Sequence, residues 1–274
     1  MSERGCYVDL KTLKAVVGES TTTNDASLLA AAEDASRYVD QHCARRFYVQ
    51  TATRYYTARN PCVIDVDDLL AVTTLKTDSD GDRVYDETWA ATDYDLTAGD
   101  DYNAWPKWRV SVTPDGDYHF PRYQRGVQIA GSWGYGNGES ASPWLASGIT
   151  LTVATATGTA VTASSATNPF SAGQTILAGT EQMYLTSVLG TALTAERGVN
   201  GTTAAIQAAV AASIAQYPRN VIRATLRIAQ RANALEGAPF GVRGSAEMGT
   251  LEVVSRMDPD ILHWLAPFRH LTVG

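Results

Sequence analysis

The sequence predicts an α+β protein, a small core of helices and β-hairpins interrupted by an inserted all-β module, and three observations carry that prediction. Apolar residues recur at spacings of three and four near both ends of the chain, as on one face of a helix. Between them, residues 47–133 carry aromatic and β-branched runs broken by turn signals, the pattern of short strands. The third observation is a deficit of charge. The 274 residues include 22 Lys or Arg and 29 Asp or Glu, a formal net charge of −7, yet residues 148–217 hold only Glu181, Glu196 and Arg197. Charged character precedes 148 and resumes after 217, so the depleted stretch reads as an insertion. The domain plan is then 1–147, an inserted Ala/Thr-rich β domain at 148–217, and 218–274 as the second part of the first domain.

Each element follows from local chemistry. Leu10, Leu13 and Val17 mark a short helix over Asp9–Val17, stopped by Gly18. Thr23, Asn24 and Asp25 offer N-caps to a second helix from about Ala26 to Ala44, with Leu28, Ala32, Ala35, Val39 and Cys43 as its apolar stripe. Arg45 and Arg46 sit at its negative end. Strands are expected at Phe47–Ala58, at Val63–Lys76 apart from a turn at Asp65–Asp68, and at Val84–Trp89, Asp93–Leu96, Trp105–Thr113 and Gly126–Trp133. Within 148–217 the alternation continues at 149–153, 160–163, 174–177, 183–188 and 192–195, and Ala208–Ile214 is read as a closing strand despite the helix propensity of alanine. After Pro218, Asn220–Leu235 is helical, with Val221, Thr225, Ile228 and Ala232 on one face. A short strand over Thr250–Ser255, a short helix over Pro259–Leu265 and a tail over Phe268–Gly274 complete the chain.

Several functions find no support. No stretch approaches the roughly 18–20 apolar residues of a membrane span, and Met1–Cys6 has no apolar core to act as a secretory signal. Cys6, Cys43 and Cys62 lack metal-ligand spacing and indicate neither zinc nor disulfides, so synthesis in a reducing cytoplasm is expected. Asp78-Ser79-Asp80-Gly81-Asp82, continuing to Asp86, alternates carboxylates as a calcium loop does, but Arg83 and Trp89 stand where that loop needs Gly and Glu, and a solvated hairpin turn accounts for it. Gly131, Gly134, Gly136 and Gly138 precede Pro143 rather than a helix, which denies them the dinucleotide fingerprint. His263, beside Trp264, reads as a packed or interfacial histidine, and no nucleophile motif accompanies any of the four histidines. No catalytic residue, cofactor or metal is assigned.

One charge pattern is more specific. Arg219, Arg223, Arg227 and Arg231 recur every fourth residue along the helix after Pro218, a basic ridge that advances about 40° per step. It is either a solvated face or a surface that docks to carboxylates of another chain through guanidinium forks. Residues 218–274 carry seven Arg and five acidic residues, net +2, leaving −9 for residues 1–217, a division that suits head-to-tail contacts between copies. Trp264, Phe268, Arg269, His270, Leu271, Thr272, Val273 and Gly274 add apolar and cationic anchors, which either fold back onto their own core or reach a neighbour.

In order along the chain, these parts resemble tailed-phage head-tail connector proteins, specifically the adaptor beneath the portal. The residues that carry the resemblance are Asp9-Leu10-Lys11, the helix ending Ala44-Arg45-Arg46-Phe47, Asp93-Tyr94-Asp95-Leu96, Ser132-Trp133-Gly134-Tyr135, the Arg-bearing helix after Pro218, Pro239-Phe240-Gly241 and Leu265-Ala266-Pro267-Phe268-Arg269. Glu181-Gln182-Met183 with Arg197-Gly198-Val199-Asn200-Gly201-Thr202-Thr203 is similar to a β module of phage structural proteins. The resemblance implies a non-enzymatic virion protein in a dodecameric ring, joining the portal to a stopper or tail-completion protein. DNA would pass through its channel without sequence-specific binding, and no membrane is involved. The arginine ridge and the C-terminal tail become the portal or neighbour-subunit interface, and the acidic β part faces neighbours or the lumen, where like charge keeps DNA from sticking. Compact adaptors lack the insertion, which then reads as decoration on the outside of the ring. The competing class is a carbohydrate- or surface-binding module, with Phe170, Tyr184 and Tyr217 as its aromatic platforms.

Overall fold

The computed structural model describes residues 2–114, 118–236, 242–244, 251–253 and 258–270. Two N-terminal helices open the chain. Helix α1 (Leu10–Val17) starts where the Asp9 side chain accepts from Thr12 N, and ends at Gly18, whose φ of 81° is the left-handed geometry glycine adopts without strain. Helix α2 (Asp25–Cys43) begins without the predicted side-chain cap, because Asn24 donates instead to Glu19 Oε2 at 3.2 Å. Its buried stripe is Leu28, Ala32, Ala35, Val39 and Cys43, joined by Ser36, whose hydroxyl donates to Ala32 O.

Six antiparallel strands follow: β1 (Gln50–Tyr56), β2 (Val63–Thr77), β3 (Glu87–Trp89), β4 (Tyr94–Thr97), β5 (Lys107–Val112) and β6 (Val127–Trp133). They pair in the order β1-β6-β2-β5-β4, with β3 added to the far end of β2. The predicted turn at Asp65–Asp68 is instead a register shift inside one continuous strand: β2 pairs with β5 at Val63–Asp65 and again at Leu69, where its pairing with β6 on the other side begins. A bulge accommodates the extra residues without ending the strand. Ile64, Leu69, Leu75, Trp89, Val110, Phe120, Ile129 and Trp133 form the core of this sheet, where Trp89 stacks on Phe120 at 4.8 Å between ring centroids.

The charge-poor segment is a closed six-stranded barrel of β7 (Trp144–Val153), β8 (Ala160–Ala163), β9 (Thr175–Ala178), β10 (Glu181–Leu189), β11 (Ala192–Glu196) and β12 (Gln207–Ala215), ordered β10-β11-β8-β7-β12-β9. Its first strand begins at Trp144, ahead of the composition boundary at 148. The alanine content has a geometric cause. Barrel diameter scales with strand number, so six strands enclose a narrow interior. Ala163, Ala178, Ala195 and Ala212 fill it alongside Leu151, Ile176, Met183 and Leu193. Barrel closure also overrides the helix propensity of the 204–215 run, since β12 pairs with both β7 and β9.

Within the protomer this barrel packs continuously against the helical layer. Ala172, Tyr184 and Val199 are buried in one cluster with Cys6, Leu13, Leu28, Ala35 and Ala229 of the helical layer. Leu10 N donates to Ala172 O at 2.9 Å, and Thr51 N donates to Asn200 O at 2.9 Å. Asn200 also receives Arg4 N at 2.7 Å and returns a bond to Arg4 O, so the N-terminal segment threads between barrel and helices. Gly201 permits this approach: a Cβ there, at φ 83°, would stand 1.9 Å from Thr51 O.

The chain then leaves the barrel for α3 (Arg219–Glu236), a two-stranded ladder of β13 (Val242–Gly244) and β14 (Leu251–Val253), and α4 (Pro259–Leu265), which runs into a 3₁₀ turn at Ala266–Phe268. Among the described residues, no helix is long and apolar enough to cross a membrane.

Candidate interaction surface

Helix α3 is amphipathic, and its buried side fixes which residues face outward. Val221, Ala224, Thr225 and Ala229 are buried, whereas Ala232, predicted on that face, is exposed. The Thr225 hydroxyl is satisfied by donating to Val221 O at 2.9 Å. With that face locked against α2 and α4, Arg219, Arg223 and Arg227 project into solvent. Arg223 lies over the Trp264 ring at 4.7 Å, and Arg227 donates to Gln230 Oε1 at 3.3 Å. None of these three forms an ion pair among the described residues. Arg231 is half-buried and already engaged, so the exposed ridge comprises three arginines rather than four.

The C-terminal anchors divide. Helix α4 is capped by Asp258, which accepts from Asp260 N, and it buries Ile261 and Leu265 against Val39, Cys43, Phe47 and Val221. Phe268 packs on Phe47 and Tyr135 at 5.8 and 5.5 Å between centroids. Trp264 lies partly buried beneath Arg223. Both rings therefore pack against the protomer's own core and stay partly exposed. Arg269 and His270 are exposed, and His270 N donates to Cys43 O at 2.8 Å, which ties the tail to the end of α2. Leu271, Thr272, Val273 and Gly274 lie outside the described residues. His263, predicted as packed or interfacial, is exposed on this protomer.

The acidic turns lie elsewhere, with Asp80 and Asp82 exposed and Asp78 buried. Asp78, Asp80 and Asp82 place carboxylate oxygens within 4.8 Å of one another. Asp78 accepts from Gly81 N at 2.7 Å and Arg83 N at 2.9 Å, and Asp82 accepts from Val84 N at 2.7 Å. Burial alone would raise the Asp78 carboxyl, but these amide donors hold it below its ordinary value. Trp89, at the position a calcium loop gives to Glu, is buried in the sheet core and donates from Nε1 to Thr77 Oγ1. Turn chemistry accounts for the cluster.

The sequence reading missed how the three charges of the barrel are used. Glu181 and Arg197 form a bidentate pair at 2.6 and 2.7 Å, with side chains 0% and 5% exposed. Gly198 N and Ala205 N also donate to the Glu181 carboxylate. Burial would raise the Glu181 carboxyl, yet the Arg197 fork and these amides hold it below the usual range. Glu196 pairs with Arg4 at 2.8 Å. A signal was present, since a nearly charge-free segment that retains two carboxylates and one arginine has little reason to keep them except as partners. The aromatic platforms proposed for a carbohydrate site are likewise used internally: Tyr184 and Phe170 are buried, and Tyr217 packs against Tyr7 at 4.7 Å.

No family model matches the chain, and no curated protein matches it. Among solved structures, a chain described as "Neck of empty GTA particle computed with C6 symmetry" aligns over 98% of this chain and 92% of its own length, with 13% sequence identity and a TM-score of 0.42.

Proposed function

We propose that this chain is a structural, non-enzymatic subunit of a phage-like virion neck, an adaptor that assembles into a dodecameric ring between the portal and a stopper or tail-completion protein. The observation that carries this reading is the row Arg219, Arg223 and Arg227, exposed and without ion-pair partners among the described residues, on a helix whose opposite face is locked into the core. Guanidinium forks in such a row recognise carboxylates with directional as well as Coulombic preference. The exposed acidic turns lie on the other part of the chain, so one copy's ridge meets a different surface of the next, the relation that closes rings. The order of motifs shared with the connector family supports the same reading. Arg269, His270 and residues 271–274 then face the portal, while Trp264 and Phe268 hold the tail in place from behind. The acidic sheet faces neighbours or the channel, through which DNA passes unbound.

Mass measurement of the purified chain, alone and mixed with its portal protein, tests the proposal. Rings or portal-bound species support it. A monomer indifferent to portal contradicts it. The carbohydrate-binding reading has no favouring observation, because its proposed aromatic rings are packed inside the protomer.

A further inference from the structure

Several carboxylates of this chain are already engaged: Glu3, Glu33, Asp65, Asp67 and Glu196 are ion-paired within the protomer. The 78–86 turn keeps exposed acids at Asp80, Asp82 and Asp86, but the exposed Arg83 stands among them. Tyr85 donates to Arg125 O at 2.7 Å, which brings a second exposed arginine alongside. An arginine row approaching that turn meets like charge. The corner made by β4 and the loop into β5 differs. Asp95 on β4 and Asp100 in that loop form no hydrogen bond or ion pair among the described residues. Asp93 accepts from Ala90 N at 2.7 Å and Asp101 from Asn103 N at 2.7 Å, so both brace turns while keeping their charge.

The basic residues nearby are committed elsewhere. Arg109 on β5 pairs with Asp65 at 2.8 Å, and Lys107 is buried with its ammonium donating to Tyr102 O. Tyr102 itself is 62% exposed, so a ring lies open beside the carboxylates. That combination suits a guanidinium, which forks onto carboxylate oxygens and stacks on an aromatic face. The spacing agrees as well. Thr113 N donates to Asp93 O at 3.1 Å, which continues the β4–β5 pairing through Asp93. Asp93 and Asp95 are then separated by about 7 Å of extended chain, close to the roughly 6 Å of a four-residue helix step. We propose that Asp93, Asp95 and Asp100 of one copy, with Tyr102 beside them, receive Arg219, Arg223 and Arg227 of the next. Ridge and corner lie on different elements, α3 and the β4 edge of the sheet, so the contact is head-to-tail and repeats around a ring. This inference rests on the neck reading, for which it names the surface that the ridge meets.

The test is mass photometry of the full chain, alone and with portal protein, in the parent and in three charge-reversed variants. These are Asp95→Lys with Asp100→Lys, Arg219→Glu with Arg227→Glu, and all four together. Arg223 stays in place over Trp264, and circular dichroism of each variant is compared with the parent. Each two-site reversal is expected to weaken assembly at least about tenfold, and the four-site chain to recover to within about threefold of the parent, because both sides of every contact are then exchanged. Should the lysines unfold the chain, the isosteric Asp95→Asn with Asp100→Asn replaces them, with weaker assembly again expected. Ridge reversals that weaken assembly while changes at Asp95 and Asp100 do not would assign the ridge to another surface, which overturns this inference and leaves the neck reading intact. A folded four-site chain that assembles as poorly as the two-site variants also overturns it. A parent that stays monomeric with and without portal contradicts both.

Discussion

Glu181 and Arg197 face each other as a bidentate pair at 2.6 and 2.7 Å, buried at the seam where the barrel's 197–205 loop turns back toward the helical layer. Arg197 also donates to the carbonyls of Thr155, Gly158 and Ala205, so the pair clasps three separate segments. Breaking one side of a buried pair leaves the other charge uncompensated, at a cost of about 3–5 kcal/mol. Arg197→Met is expected to destabilise the chain by that amount in urea unfolding, and Glu181→Gln by less, since the amide keeps an acceptor. The Glu181 carboxyl is held below its unfolded value, so its contribution is complete above that value and is lost as pH falls through the folded one. The Arg197→Met chain should therefore show a smaller further loss below about pH 4.5 than the parent.

Asp40 gives the opposite sign. It accepts from the buried Tyr7 hydroxyl and pairs with Arg37 at 3.1 Å, yet burial pushes its carboxyl up from 3.8 to about 6. Between those values the folded chain holds a proton that the unfolded chain has lost, so stability falls as pH rises from about 4 to about 6. Asp40→Asn is expected to flatten this slope in thermal melts across that window. An unchanged slope would show that Asp40 does not carry it.

Two glycines separate backbone strain from close approach. Gly18 and Gly201 have φ of 81° and 83°, but a Cβ at Gly18 meets open space, whereas at Gly201 it would collide with Thr51 O. Gly18→Ala is expected to cost about 1 kcal/mol from conformation alone. Gly201→Ala should cost about 2–3 kcal/mol more and loosen the barrel from the sheet, seen as lost hydrogen-exchange protection at Thr51 N.

Removing the barrel, residues 144–215, and joining its ends with a short linker tests whether it is peripheral. Tyr184, Val199 and Ala172 would leave the helical core, exposing Leu13, Leu28 and Ala35. The shortened chain is expected to lose near-ultraviolet circular dichroism and to bind a hydrophobic dye. A cooperatively folded product would show that the helical core does not depend on the barrel.

Much of this architecture is legible in the sequence because it depends on local periodicity. The stripe of α2, the αL stop at Gly18 and the strand alternation of the barrel are read directly from residue spacing. What escaped depends on contacts distant in the chain. Asp65–Asp68 resembles a turn because three aspartates cluster there, but a register shift in the pairing of β2 with β5 absorbs them as a bulge. The face of α3 rotates away from Ala232 because α2 and α4 select Ala224 and Ala229 as the buried positions. For Trp264 and Phe268 the sequence leaves two outcomes open, folding back onto the core or reaching a neighbour. Only the fold supplies Phe47, Tyr135 and Arg223 as their partners. Likewise, charge depletion marks the barrel as distinct but does not reveal that Asn200 and Tyr184 weld it to the rest.

The neck proposal is tested most directly by mass photometry of the parent chain and of the triple variant Arg219→Gln, Arg223→Gln, Arg227→Gln, each alone and with portal protein. All three side chains are exposed, so circular dichroism of the variant should match the parent. The parent is expected to form rings or to join the portal, and the variant to assemble at least about tenfold more weakly, a difference of about 1.4 kcal/mol. A parent chain that stays monomeric with and without portal, or a variant that assembles as well as the parent, would contradict the assignment of this helix face.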